Sequence, residues 1–426
     1  MQSKDVRDHA AFWLFGMANS FAFIVMLAAA NDLMRRPSTG GAANSTASCE
    51  TASPAAQCAE QPLGAVVLAN VLPAAAVKLL VPFALHRLPF AALLVGVCAA
   101  QAASYLLVAF SATVPWSLAG VGFAALSSGL GDVCFLASII SAWSSGTGAS
   151  GLLGSLAYAA LTEPRLGGLT PQQALLSMLV VPALLFCTYF GLLTAAPTVY
   201  APSLRRPRTW LVPRVEREKA ALPPSSSAAR IVADDAAEQP GGKWAPAELT
   251  AAGRLRAIPL LPYVLPLTAV YLLDYSVQQG MATFLVFDCR RGFGLSPAAA
   301  YRWIQAAYCC GAFVARSGAH LLRLPAVFLA LFPLYELLNA GFFFAEATHH
   351  FLPHIGVVFA LVFVDGAVGG ASYANTYFRI HIEVPPARRE FSLAIATLSD
   401  AVGIALAGVA TLPLQTAVCL SLAQVS

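Results

Sequence analysis

Charge is scarce in this chain. Only 11% of its 426 residues are Asp, Glu, Lys or Arg, against about 25% in soluble domains. With 58% hydrophobic residues and a mean hydropathy of +0.69, that scarcity excludes an ordinary soluble globular protein. A net charge of only +4, with acids and bases intermixed, gives no footprint for nucleic acid. The nine cysteines show no metal-ligand spacing. There is no Walker A sequence, no zincin motif and no nucleophile elbow, so nothing calls for an enzyme, a metal or a cofactor.

What is present is a series of long apolar runs. A helix needs about 20 apolar residues to cross the hydrocarbon of a bilayer. Eleven stretches qualify: 11–33, 63–85, 90–110, 117–141, 146–162, 174–194, 259–287, 301–321, 325–345, 354–376 and 391–412. They are continuous rather than alternating, which argues against a β-barrel, whose strands alternate over about ten residues. The fold class expected is therefore an all-α polytopic membrane protein. The N-terminus is not read as a signal peptide. Asp5 and Asp8 dilute Lys4 and Arg7, and the run exceeds the usual 7–15-residue apolar core.

Residues 195–258 interrupt the series. They are rich in Pro, Ala, Ser and Arg and read as a disordered linker. The linker divides the chain into an N-terminal six-helix bundle over 1–194 and a five-helix bundle over 259–426, a plan that suits secondary transporters. The positive-inside rule places the N-terminus and the linker in the cytosol, with seventeen Lys/Arg on that side and six on the other. The basic group Arg205, Arg206 and Arg208 serves either as a topology anchor or for attraction to anionic lipid. Loop 34–62 then faces the lumen. It holds an Asn44-Ser45-Thr46 glycosylation sequon and Cys49 with Cys58, a candidate disulfide in an oxidising compartment. Residues 413–426 could re-enter the membrane.

Seven ionisable residues lie inside the apolar runs: Lys78, Asp132, Asp274, Arg316, Glu336, Asp365 and Asp400. A charge at the bilayer centre costs about 2.5–3.5 kcal/mol on insertion scales, so such residues face a cavity or a partner. Tyr301, Gln305, Tyr308 and Arg316 fall on one helix face. Arg316 is either an anion-binding guanidinium or half of an ion pair with Asp274, Glu336 or Asp365. Lys78 either snorkels to the interface or holds substrate or a carboxylate. Asp274 and Gln278 are spaced i,i+4. Asp365 shares a face with Gly369, Ser372 and Thr376. Asp132, Asp365 and Asp400 are candidates for gating or proton coupling, or for structural pairing. Glu336 has a local alternative in Asn339 and the Pro333 bend. The match of Gly146-Thr147-Gly148-Ala149-Ser150-Gly151 to a dinucleotide fingerprint lacks the required strand. Gly148, Gly151 and Gly154 instead read as a packing surface that opens a membrane helix. His349, His350 and His354 crowd one loop, where Pro353 interrupts any helix that would align a metal pair.

Several ordered blocks resemble the battenin family. They are Asn31-Asp32-Leu33, Ser127-Ser128-Gly129-Leu130-Gly131-Asp132, Trp143-Ser144-Ser145-Gly146-Thr147-Gly148 and Leu169-Thr170-Pro171-Gln172-Gln173. Further blocks are Gln279-Gly280, Tyr301-Arg302-Trp303, Gly369-Gly370-Ala371-Ser372-Tyr373-Ala374-Asn375-Thr376, and Arg389-Glu390-Phe391 leading to Ser399-Asp400-Ala401-Val402-Gly403. The resemblance implies a lysosomal, late-endosomal or vacuolar membrane protein with a fold like major facilitator and equilibrative nucleoside transporters. It implies a role in clearing glycerophosphodiesters, in lysosomal pH, in basic amino acid homeostasis and in vesicle trafficking. Lys78, Asp132, Asp274, Arg316, Asp365 and Asp400 fall in segments that resemble family segments carrying an ionisable residue at that place. The chain departs from the family in lacking an acidic dileucine signal and a C-terminal prenylation box.

Three functions follow as expectations. One is a transporter of an anionic or zwitterionic small molecule. Arg316 and Lys78 would hold phosphate, Gln278, Gln305, Tyr308 and Asn375 would reach hydroxyls, and Asp274 would join the substrate site. The second is a scaffold engaging cytosolic trafficking proteins through the linker. The third is a basic amino acid transporter. The partners expected are membrane lipids and the solute, with no nucleic acid.

Overall fold

A computed structural model describes residues 3–34, 58, 63–84, 89–135, 140–193, 260–318 and 323–425. Among them every regular element is helical. The first group is α1 (Ser3–Ala28), α2 (Ala30–Met34), α3 (Gly64–Ala84), α4 (Phe90–Phe110), α5 (Val114–Phe135), α6 (Ile140–Thr162), α7 (Pro171–Ser177) and α8 (Val180–Cys187). The second is α9 (Leu261–Tyr275), α10 (Pro297–Ser317), α11 (Ala326–His349), α12 (Ile355–Glu383) and α13 (Pro386–Val425). π-Helical turns extend α8 over Thr188–Leu192 and α9 over Ser276–Met281. Among the described residues, seven helices are long and apolar enough to cross a membrane. The chain is an all-α, multi-pass membrane protein.

Local sequence explains several boundaries. Thr170 and Gln173 form a reciprocal capping box at the start of α7, with Pro171 in the first turn, where a missing N–H costs nothing. Ser296 caps α10 through the Ala299 N–H. His354 caps α12, its Nδ1 accepting from Gly356 N–H at 3.0 Å. Burial and the neighbouring His349 lower the proton affinity of His350 in the same loop. Among the described residues no group of three or more His, Cys, Asp or Glu side chains is arranged to hold a metal ion.

Small residues set the packing, because in lipid helices associate through close backbone approach. α1 packs on α6, α10 on α12, and α9 on α13. α6 against α10 and α3 against α13 join the first group to the second. A Cβ on Gly148 would lie 3.1 Å from the Phe313 Cα of α10, and one on Gly151 would lie 3.4 Å from Cys309 Sγ. Gly154 faces Ile24 of α1. These three glycines are a packing surface, but inside α6 rather than at its start, because the helix begins at Ile140.

Two expectations change at the other end of α3. Cys58 pairs with Cys419, not with Cys49, at a Cα–Cα distance of 5.7 Å. Gly64 meets the Gly408 backbone directly, and this contact brings the start of α3 alongside α13. Cys289 is also disulfide-bonded. Residues 413–425 do not re-enter as a separate segment. They continue α13 through Pro413. Asn44, Cys49 and the linker 195–258 lie outside the described residues.

Candidate functional site

Three polar groups occupy the interior. The first is an ion triad. Lys78 is 4% exposed, and its Nζ lies 3.0 Å from Asp132 Oδ2 and 3.2 Å from both carboxylate oxygens of Asp400. Asn19 Nδ2 donates to Asp132 Oδ1 at 3.2 Å. The triad thereby joins α1, α3, α5 and α13. Lys78 does not snorkel, since its ammonium is held by two carboxylates within the bundle.

The second group is acidic. Asp274, Glu336 and Asp365 are all 0% exposed. Asp365 accepts from Gln278 Nε2 at 3.0 Å and from Asn339 Nδ2. Tyr308 OH donates to Asp274, which faces Asp365. Glu336 stands beside Asp365 and Asn339, and neither of its oxygens has a well-formed hydrogen bond. Its local alternative is thus only half right. Asn339 is next to it, but Glu336 belongs to a cluster drawn from α9, α11 and α12.

The third group surrounds Arg316. Nη2 donates to Tyr271 OH at 3.1 Å and Nη1 to Thr147 Oγ1 at 3.3 Å. The guanidinium carbon sits 4.3 Å from the centre of the Tyr373 ring, within cation–π range. Nε has no partner. Among the described residues Arg316 makes no salt bridge. The ion pairs with Asp274, Glu336 or Asp365 left open by the sequence do not form. The guanidinium is held by neutral groups from both helix groups, Thr147 on one side and Tyr271 and Tyr373 on the other.

A narrow cavity adjoins the acidic group, lined on its polar side by Ser155, Tyr275, Gln278, Gln279, Gln305 and Tyr308. Gln305 Nε2 donates to the Gln278 carbonyl at 3.1 Å. The spacing of Tyr301, Gln305 and Tyr308 along α10 turns all three inward. Asn375 lies apart. Its Oδ1 accepts from Leu324 N–H at 3.0 Å and its Nδ2 donates to Ala371 O, so both ends of the amide serve backbone.

At the end opposite Lys78 a further ion pair joins the two helix groups. Arg302 Nη1 reaches Asp32 at 2.9 and 3.1 Å, and Tyr158 OH donates to the same carboxylate at 2.9 Å. Arg302 lies in the second turn of α10. The pair connects the two helix groups over the cavity, with side chains only 10% and 13% exposed. Asp32→Asn is expected to open this end. With Cys310 replaced by Ser, labelling of the cavity residue Cys309 by a membrane-impermeant maleimide, read on its own peptide by mass spectrometry, should speed up about 5–30-fold, the shift that 1–2 kcal/mol produces in a two-state population. The charge-swapped Asp32→Arg/Arg302→Asp protein should return toward the wild-type rate. Equal rates in all three would remove the pair from gating.

A multi-helix bundle with a polar interior and a cavity between two helix groups is the architecture of a membrane transporter. The fold agrees. The human organic anion transporter MFSD10 aligns with a TM-score of 0.57 at 18% identity, covering 99% of this chain and 98% of that one. A POT family transporter in complex with 5-aminolevulinic acid aligns at 0.56 and 12% identity, covering 98% and 95%. The CLN3 protein family model matches residues 10–421. Battenin of Canis lupus familiaris is 36% identical over 423 residues, covering 96% of this chain and 90% of that protein. Protein BTN1 of Yarrowia lipolytica is 31% identical over 430 residues, covering 96% and 94%. The chain belongs to the CLN3/battenin family and is a lysosomal or late-endosomal multi-pass membrane transporter.

Proposed function

We propose that the chain exports glycerophosphodiesters from an acidic lumen, through eleven membrane spans arranged six plus five with the N-terminus in the cytosol. One observation carries the substrate class. Arg316 is a charged side chain inside the bundle whose partners are all neutral. A guanidinium with free donor capacity suits a phosphate diester. The amides and hydroxyls of the cavity beside the acidic group suit hydroxyls of such a solute. Asp274, Asp365 and Glu336 would exchange protons with the lumen, as intramembrane carboxyls do in proton relays, and so support lysosomal pH. The Asn44 sequon would be glycosylated in the lumenal loop, and the linker 195–258 would reach cytosolic trafficking proteins.

The same acidic cluster favours a second reading, transport of arginine or lysine, because three buried carboxyls stand together with no cation paired to them among the described residues. Uptake of labelled glycerophosphocholine into proteoliposomes decides between the two. The expected result is saturable flux that responds to a proton gradient and is not inhibited by arginine. Arginine flux without glycerophosphocholine flux would replace the first reading with the second.

A further inference from the structure

Gln279 is 1% exposed and lies in the π-helical turn Ser276–Met281, a local geometry that often marks functional sites. One end of its amide is engaged. Tyr301 OH lies 2.8 Å from Oε1 and 3.2 Å from the Leu27 carbonyl. Gln279 lines the cavity, and the other end of its amide, Nε2, has no hydrogen-bond partner among the described residues. A buried amide left half-satisfied costs about 1–3 kcal/mol, so a partner is expected from the cavity's occupant.

The chemistry of that partner follows from Tyr301. Its hydroxyl has one proton and two neighbours. If the proton goes to Gln279, the amide turns its nitrogen to the cavity. If it goes to Leu27, the amide turns its nitrogen to Tyr301 and its oxygen to the cavity. A hydroxyl group both donates and accepts and fits either arrangement, whereas a phosphate oxygen fits only one.

We infer that Gln279 is a substrate-contacting residue that binds a neutral hydroxyl of the solute through the free end of its amide. The inference rests on the transporter reading above and adds a discriminating contact to it. Two probes separate the hydroxyl from the anion: glycerophosphocholine, and propylphosphocholine, which has the same phosphodiester and no free hydroxyl. Affinities are read from the thermal stabilisation of full-length protein in detergent. Wild type should bind glycerophosphocholine about tenfold more tightly than propylphosphocholine, a factor equal to ~1.4 kcal/mol. Gln279→Met, which conserves volume, should erase that preference and leave propylphosphocholine affinity unchanged. Gln279→Asn should restore part of it, and the ligand-free melting temperature reports whether each variant folds. A preference intact in Gln279→Met, or an equal loss for both probes, overturns the hydroxyl contact and leaves the anion site standing. Binding of neither probe by wild type overturns the proposed substrate class and the inference with it.

Discussion

Lys78→Ala destabilises the folded protein by about 3–5 kcal/mol, the cost of removing one partner from a buried ion pair. The ammonium is almost fully buried and lies within 3.2 Å of carboxylates from two other helices. Without it, Asp132 and Asp400 face each other with no cation between them, and Asn19 and the Ala401 N–H cannot neutralise two charges. The melting temperature in detergent should fall well below that of wild type. Combining Lys78→Ala with Asp132→Asn and Asp400→Asn should recover most of the loss, because the charges left stranded are then gone. A single variant as stable as wild type would show that the triad is not a structural tie.

Arg316→Ala has the opposite signature. Its partners are a threonine, a tyrosine hydroxyl and a tyrosine ring, so truncation strands no carboxylate and the melting temperature should hold. Flux of the anionic solute should fall about 30-fold or more, since losing one side of a desolvated, charge-assisted contact costs about 2–5 kcal/mol. Arg316→Lys should not restore it. An ammonium keeps the charge but lacks the planar fork and the stacking surface that Tyr373 meets. Initial rates in proteoliposomes and melting curves on the same preparations check both statements. Undiminished flux in Arg316→Ala would remove this residue from the mechanism.

In the sequence each of the two cations is a lone base in an apolar helix, with snorkelling open to Lys78 and an ion pair or an anion open to Arg316. The structure separates them through partners that sequence spacing cannot show. Asp400 is 322 positions from Lys78, and Thr147 is 169 from Arg316. The inward face of α10 was legible because Tyr301, Gln305, Tyr308 and Arg316 keep helical register within one element. Glu336 was set aside because Asn339 offered a local explanation, while the carboxyls it joins lie on α9 and α12. Asp32 and Arg302 are inconspicuous in the sequence because each sits near the end of an apolar run, where charges are ordinary. Cys58 invited pairing with Cys49 in its own loop, but helix packing brings Cys419 to it instead.

By itself the sequence determined that this protein is helical and membrane-embedded, that ionisable residues lie inside it, and that its ordered blocks resemble one family. Those properties follow from composition, run length and 3.6-residue register, all of which are short-range. Only the tertiary structure decided which charges neutralise one another, which cation is left with neutral company, and which cysteines meet. In a low-dielectric interior an ionisable group is governed by the few atoms within hydrogen-bond distance, and here those atoms come from helices far apart in the chain.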